Sequence, residues 1–417
     1  HQDLHLLSWF TPYVKVWMVV SAAEAFTIVI LATRTVRGLV GRPTPRHLLL
    51  MVSLLLLFAP AAGFAFFQLI YAERMLTLCF AAFAFFYWHY QQSGHRRDWC
   101  FSLLFALVGL FFKDIAVLLF ATPAAFTLMA GAGGLMEHYP AFPTQNVNIR
   151  RLRDWLGAYS LELSLVSLVV VFALAYTYLS YLPSLYHGKE AYGSDDGFRF
   201  IGDLRSWILF IFIGLRIVLI SCKRSTANLL DGLNAAALIY MGALYAVVGY
   251  EGTSYMSLPV QLVTVLDLSF AWCDWIAPAL SRRIQSPMAL SATAIVASAG
   301  LLGLEQRQED GFIERVRAVK TKQHSWLTTF KKIEEVTTQA KRRGEEVNLV
   351  FTKSWFRRKR HLDRFKVDRL IFLDPSTMTY TTVAGIGRGQ VYTPKPGDFL
   401  IDIDKGNLKF LGDELDR

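Results

Sequence analysis

Basic residues clustered in every other loop between apolar stretches, with only isolated ones in the loops between, constrain this chain more than any other feature. Apolar segments of membrane-spanning character cover 9–33, 47–70, 76–92, 100–112, 114–131, 157–183, 205–222, 228–249, 257–279 and 287–304. Arg34, Arg37, Arg42 and Arg46 fill the first loop. Arg96 and Arg97 sit in the third, Arg150, Arg151 and Arg153 in the fifth, Lys223 and Arg224 in the seventh, and Arg282 and Arg283 in the ninth. The positive-inside rule makes these loops cytoplasmic and turns the even loops outward. If all ten segments cross, residues 1–8 and everything after Leu304 lie outside. The segment 100–112 is shorter than a perpendicular crossing needs, so it is expected to be broken or re-entrant.

Composition agrees. The 417 residues are 53% hydrophobic and 18% charged, and the mean hydropathy of +0.34 is too high for a soluble domain of this length. A net charge of +10 would suggest nucleic acid in a soluble protein. Here much of the excess lies in cytoplasmic loops, where it orients helices and meets anionic headgroups, so nucleic acid is discounted. Four cysteines lie in or beside apolar segments and form neither a disulfide framework nor a metal-ligand spacing. No Walker motif, dinucleotide fingerprint or HExxH pattern is present. Because the chain opens at His1 without Met or a signal peptide, the expectation is an excerpt with a segment missing upstream.

The last part, 305–417, changes character. Residues 310–343 carry apolar positions at helical spacing, and Gly344 is a natural stop. Strand-like runs follow at 347–351, 369–373, 380–383, 398–403 and 408–411, separated by turn residues. Gly385-Ile-Gly387-Arg-Gly389 opens no helix and is expected to be a turn, not a phosphate loop. Residues 355–366 resemble a short basic helix. The expected fold is a polytopic α-helical membrane protein of about ten transmembrane helices, residues 1–304, followed by a soluble α/β domain, residues 305–417.

Charge at membrane depth is expensive, so each such residue marks a candidate site. Glu73 and Arg74 join two apolar spans almost without a loop, and Lys113 and Asp114 do the same one hairpin later. Both pairs should face one outer cavity, with Arg74 and Lys113 holding the phosphate of a lipid-linked donor and Glu73 and Asp114 orienting them or binding hydroxyls. Interfacial snorkelling would explain one such residue more economically than two pairs. Asp3 and His5 precede the first span; an outer acid there can act as a general base, or belong to an ordinary solvated terminus. Tyr186 in loop 184–204 and Tyr250 and Glu251 in loop 250–256 suit sugar stacking and hydroxyl recognition, as they suit any wet interfacial loop. Glu24 is read as a helix-packing residue, Arg216 as snorkelling to the cytoplasmic surface, and Asp267 as pairing across helices with a partner the sequence does not name.

The arrangement resembles the GT-C superfamily of integral-membrane glycosyltransferases, bacterial enzymes using polyprenyl-phosphate sugars among them. Asp3 in His1-Gln-Asp-Leu-His5 matches that family's catalytic acid if a first span precedes it, and Tyr71-Ala-Glu-Arg74 and Phe111-Phe-Lys-Asp114 match its later outer loops. Family members often carry paired acids in the first loop, whereas Gln2 precedes Asp3 here. The resemblance implies a polyprenyl-phosphate sugar donor, a glycan, lipid or protein acceptor, a bacterial inner membrane location and a periplasmic C-terminal domain. It requires no particular cofactor and leaves room for a divalent metal. An O-antigen-type polymerase or ligase, a transporter or flippase, and a non-catalytic scaffold are the competing readings. Small outer loops argue against the first, and the absence of two-fold internal symmetry argues against the second.

Overall fold

The structure is a computed structural model that describes residues 9–11, 13–68, 71–137, 139–141, 149–183, 203–248, 255–307, 311–352, 365, 367–374, 376–395, 397–402 and 407–410. Contacts divide the chain into two compact units, His1–Val316 and Arg317–Arg417.

The first unit is helical: α1 (Val14–Val40), α2 (Leu48–Leu57), α3 (Pro60–Ala65), α4 (Glu73–Ser93), α5 (Arg96–Leu110), α6 (Val117–Ala132), α7 (Ile149–Ala158), α8 (Ser160–Tyr176), α9 (Leu204–Ser221), α10 (Leu229–Ala243), α11 (Leu258–Ala271), α12 (Ala277–Ser281) and α13 (Pro287–Arg307). A further helix, α14 (Phe312–Arg343), runs from this unit into the second. Among the described residues, seven helical stretches are long and apolar enough to cross a membrane: α1, α6, α8, α9, α10, α11 with its flanking turns, and α13. The chain is a helical membrane protein. The stretch containing α11 is 83% buried by protein and that containing α8 only 6%, so α11 is central and α8 presents its flanks outward.

Local chemistry explains where the helices stop. α1 and α4 end on Gly41 and Gly94, at φ +66° and +65°, the left-handed geometry glycine adopts without steric cost. The expected break in 100–112 is not there, for α5 is one continuous helix. The break lies instead in segment 47–70, at Pro60. Proline lacks the N–H that Leu56 O would accept and drives Ala59 to an extended ψ of 146°. The Ala59 N–H turns to Leu56 O at 3.2 Å, and Leu55 O then receives the Arg205 guanidinium at 2.9 Å.

The core of the bundle is apolar and aromatic, with Leu55, Phe80, Phe83, Phe120, Leu230 and Val263 almost fully buried. Buried charges come with partners. Arg205 grips both oxygens of Glu305, at 2.5 and 3.0 Å. Arg216 does not snorkel: it is 3% exposed and forks onto Asp231 at 2.8 and 2.7 Å, because Asp231 lies just beyond the loop and offers a bidentate acceptor. Asp231 also closes the capping box at the start of α10. Asp267 accepts from Asn234 at 2.8 Å, supplying the cross-helix partner. Glu162 accepts from Tyr87 and Tyr139 at 2.9 and 2.6 Å.

These contacts sort the loops into two ends. At one end Arg42 bonds Asp274 at 2.7 Å, and His47 meets Trp272 and Ser291, all beside the basic loops. At the other end Lys113 meets Glu73, Tyr176 meets Asp114, and Tyr71 meets Tyr255. The contacts therefore group the first and ninth loops at one end and the second, fourth and eighth at the other.

The second unit holds most of α14 and a five-stranded sheet of β1 (Asn348–Phe351), β2 (Arg369–Asp374), β3 (Thr379–Gly385), β4 (Phe399–Asp402) and β5 (Asn407–Phe410), in the order β3-β2-β1-β4-β5. β1 is parallel to β2 and β4, while β3 and β5 pair antiparallel at the edges. Leu349 and Phe351 face Ile333 and Ala340 of α14, and Val350 points oppositely toward Ile371, as the two-residue strand period requires. Of the basic segment 355–366, all but Phe365 lies outside the described residues. In the Gly385–Gly389 run, Gly385 ends β3 and residues 386–389 form the turn. Gly385 has φ +86°, and a Cβ there would lie 1.9 Å from Asp368 O. Gly385→Ala should therefore cost at least about 2 kcal/mol. Amide hydrogen exchange of β2 and β3 in the full chain would register the loss, and unchanged protection would refute this account of the turn.

Candidate functional site

The site develops at the end of the bundle where α4 begins and α5 ends. The chain enters α4 through Tyr71-Ala72, so Glu73 and Arg74 occupy its first turn. α5 ends at Leu110, and Phe111 to Lys113 lead into a one-turn 3₁₀ helix at Asp114–Ala116. An acid in the first turn of α4 suits the positive end of its dipole.

This link brings Lys113 Nζ to 2.7 Å from Glu73 Oε1. The Lys113 side chain is 17% exposed, the more accessible of the two expected phosphate-binding cations. Burial pulls Lys113 below the ordinary lysine range, while Glu73 and then Asp114 oppose that pull. Arg74 lies deeper, 1% exposed, with Nε 3.0 Å from Glu24 Oε2 of α1. Asp114 Oδ2 accepts from the Tyr176 hydroxyl at 2.6 Å, tying the link to the end of α8. Glu73 and Lys113 thus form a pair, whereas Arg74 takes its acid from another helix. Sequence reasoning missed the Glu24–Arg74 pair, although an acid in mid-span is itself the signal that a cation is near.

Beside these charges Tyr71 and Tyr255 stack with centroids 3.6 Å apart and planes 17° from parallel, and Phe64 meets both edge-on. The Arg315 guanidinium lies 5.0 Å from the Phe64 centroid. Both tyrosines belong to even-numbered loops, and only the fold joins them. Asp3, His5, Tyr186, Tyr250 and Glu251 lie outside the described residues.

The arrangement offers an accessible lysine held by a carboxylate, a second cation beneath a protein surface, and an aromatic pair. Lysine and arginine are the side chains that receive phosphate oxygens. Among the described residues no three His, Cys, Asp or Glu side chains converge as metal ligands, so this part of the chain presents no built metal centre. No family model, curated protein or solved structure matches the chain.

Proposed function

We propose that this protein is a membrane glycosyltransferase that moves a sugar from a polyprenyl-phosphate donor to a glycan, lipid or protein acceptor. The observation that carries the reading is the partly exposed Lys113, paired with buried Glu73 at the end of the bundle away from the basic loops. In this reading Lys113 meets the donor phosphate, with Arg74 adding positive charge from below. Asp114, held by Tyr176, and Glu73 orient the cations or bind hydroxyls. Asp3 takes the proton of the acceptor hydroxyl, whose oxygen attacks the anomeric carbon. The bond from that carbon to the phosphate oxygen breaks, and Lys113 stabilises the charge that develops on the leaving phosphate. The reading includes about ten crossings, with the sheet-containing unit as a soluble α/β domain on the outer, periplasmic side of a bacterial inner membrane.

The test is reconstitution in lipid vesicles with radiolabelled polyprenyl-phosphate sugars. Wild type should transfer or release sugar, and Asp3→Asn should abolish turnover. A folded wild-type protein inert toward every such donor would overturn the reading.

A further inference from the structure

A second feature lies outside the charged site. α5 and α8 border a shallow groove, open along its length, of about 620 Å³, lined by Trp99, Leu103 and Leu107 from one helix and Leu163, Ser167 and Val171 from the other. That volume falls within the roughly 300–1,000 Å³ of sites that hold a small ligand. No charged residue lines it. It opens on the flank of α8, the apolar helix least covered by protein, so its natural occupant is hydrocarbon.

The ends of the groove differ. Toward Lys113, Phe111 and Phe172 meet edge-on with centroids 5.5 Å apart and bridge the two helices. Toward the basic loops, Arg96 lies one turn before Trp99 and Cys100, on the stripe 96, 99, 103 and 107 that helical spacing aligns. Arg96 and Arg97 are exposed, with Arg97 5.5 Å from the Phe101 centroid. α7 runs directly into α8 and carries exposed Arg153 with exposed Leu152 and Leu156, the composition of a helix lying at a membrane surface. Asp98, which accepts from Ser93, and Asp154 are the acids on these two segments, against five arginines, Arg96, Arg97, Arg150, Arg151 and Arg153.

From the hydrocarbon-lined groove and the exposed arginines one helical turn beyond its Trp99 end, we infer a binding site for an anionic phospholipid. One acyl chain lies between α5 and α8, and the headgroup phosphate meets Arg96 and Arg97. This inference is independent of the glycosyltransferase reading, because it concerns the opposite end of the bundle.

Cys100 lines the groove and reports on it directly. Cys222→Ser removes the other exposed cysteine, and the rate of maleimide reaction at Cys100 is then followed in detergent with added lipid. Phosphatidylglycerol should slow the reaction at concentrations where phosphatidylcholine does not. Arg96→Gln should raise the half-protecting concentration roughly fivefold. Ser167→Trp, which fills the groove, should abolish protection. If that variant fails to fold, Arg96→Gln still decides, since it leaves the groove intact. Equal protection by the two phospholipids, or no effect of Arg96→Gln, would overturn the inference. Protection by a polyprenyl phosphate but not by phosphatidylglycerol would overturn it too, assigning the groove to the tail of the donor.

Discussion

Replacing Arg205 with alanine should destabilise the helical unit by about 3–5 kcal/mol, the range for removing one partner of a buried ion pair. Two groups lose their partner at once. Glu305 is 3% exposed and would keep a carboxylate with no guanidinium. Leu55 O would lose the donor that replaces the helical N–H withdrawn by the Pro60 break. Glu305→Ala should cost a similar amount by stranding the guanidinium. The double variant Arg205→Met, Glu305→Leu should recover most of the loss, because apolar side chains of similar volume strand no charge, although Leu55 O stays unpaired. Denaturant titration in mixed micelles of the three variants checks this. A double variant as unstable as the singles added together would show that the pair acts through something other than mutual neutralisation.

On the proposed glycosyltransferase reading, Lys113→Ala should lower sugar transfer by about 10²- to 10³-fold, the scale for removing one preorganised partner of a developing negative charge. Glu73→Gln should weaken donor binding as well. The carboxylate at 2.7 Å holds the partly buried ammonium in its charged form, so its neutral isostere should raise KM for the donor. Full activity in Lys113→Ala would remove the lysine from the mechanism. The pH dependence follows from the burial of Lys113. Because burial holds the ammonium below the ordinary lysine range, donor binding should be strong at lower pH and fall as pH rises through that lowered value. Lys113→Arg should keep its charge throughout and flatten the profile. A wild-type profile as flat as that of Lys113→Arg would disprove the assignment.

Much of the secondary structure was legible beforehand, for definite reasons. The five strand-like runs coincide with β1 to β5, since apolar and β-branched runs were bounded by Asp374-Pro375, the Gly385–Gly389 segment and Pro394 to Gly397. The charged helix before Gly344 was equally plain, and Gly344 has φ +71°. Every predicted span contains helix, but segment 47–70 is split in two. Pro60 was visible in the sequence, yet its consequence for Leu55 O and Arg205 depended on a helix 150 residues away.

Loop charge and segment hydropathy determined that this chain is a helical membrane protein, because an apolar helix between basic loops has few alternatives to crossing a bilayer. They also singled out Glu73, Arg74, Lys113 and Asp114, since charge at the edge of an apolar span is costly wherever the span goes. Tertiary structure alone decided the partners. A helix that is apolar all round carries little record of its own rotation, so nothing along the chain said that Arg74 would reach Glu24 and Lys113 would reach Glu73. The same holds for Arg216 turning inward to Asp231 and for Tyr71 stacking on Tyr255. Those pairings depend on the depth and facing of helices relative to one another, which are set when the whole bundle packs.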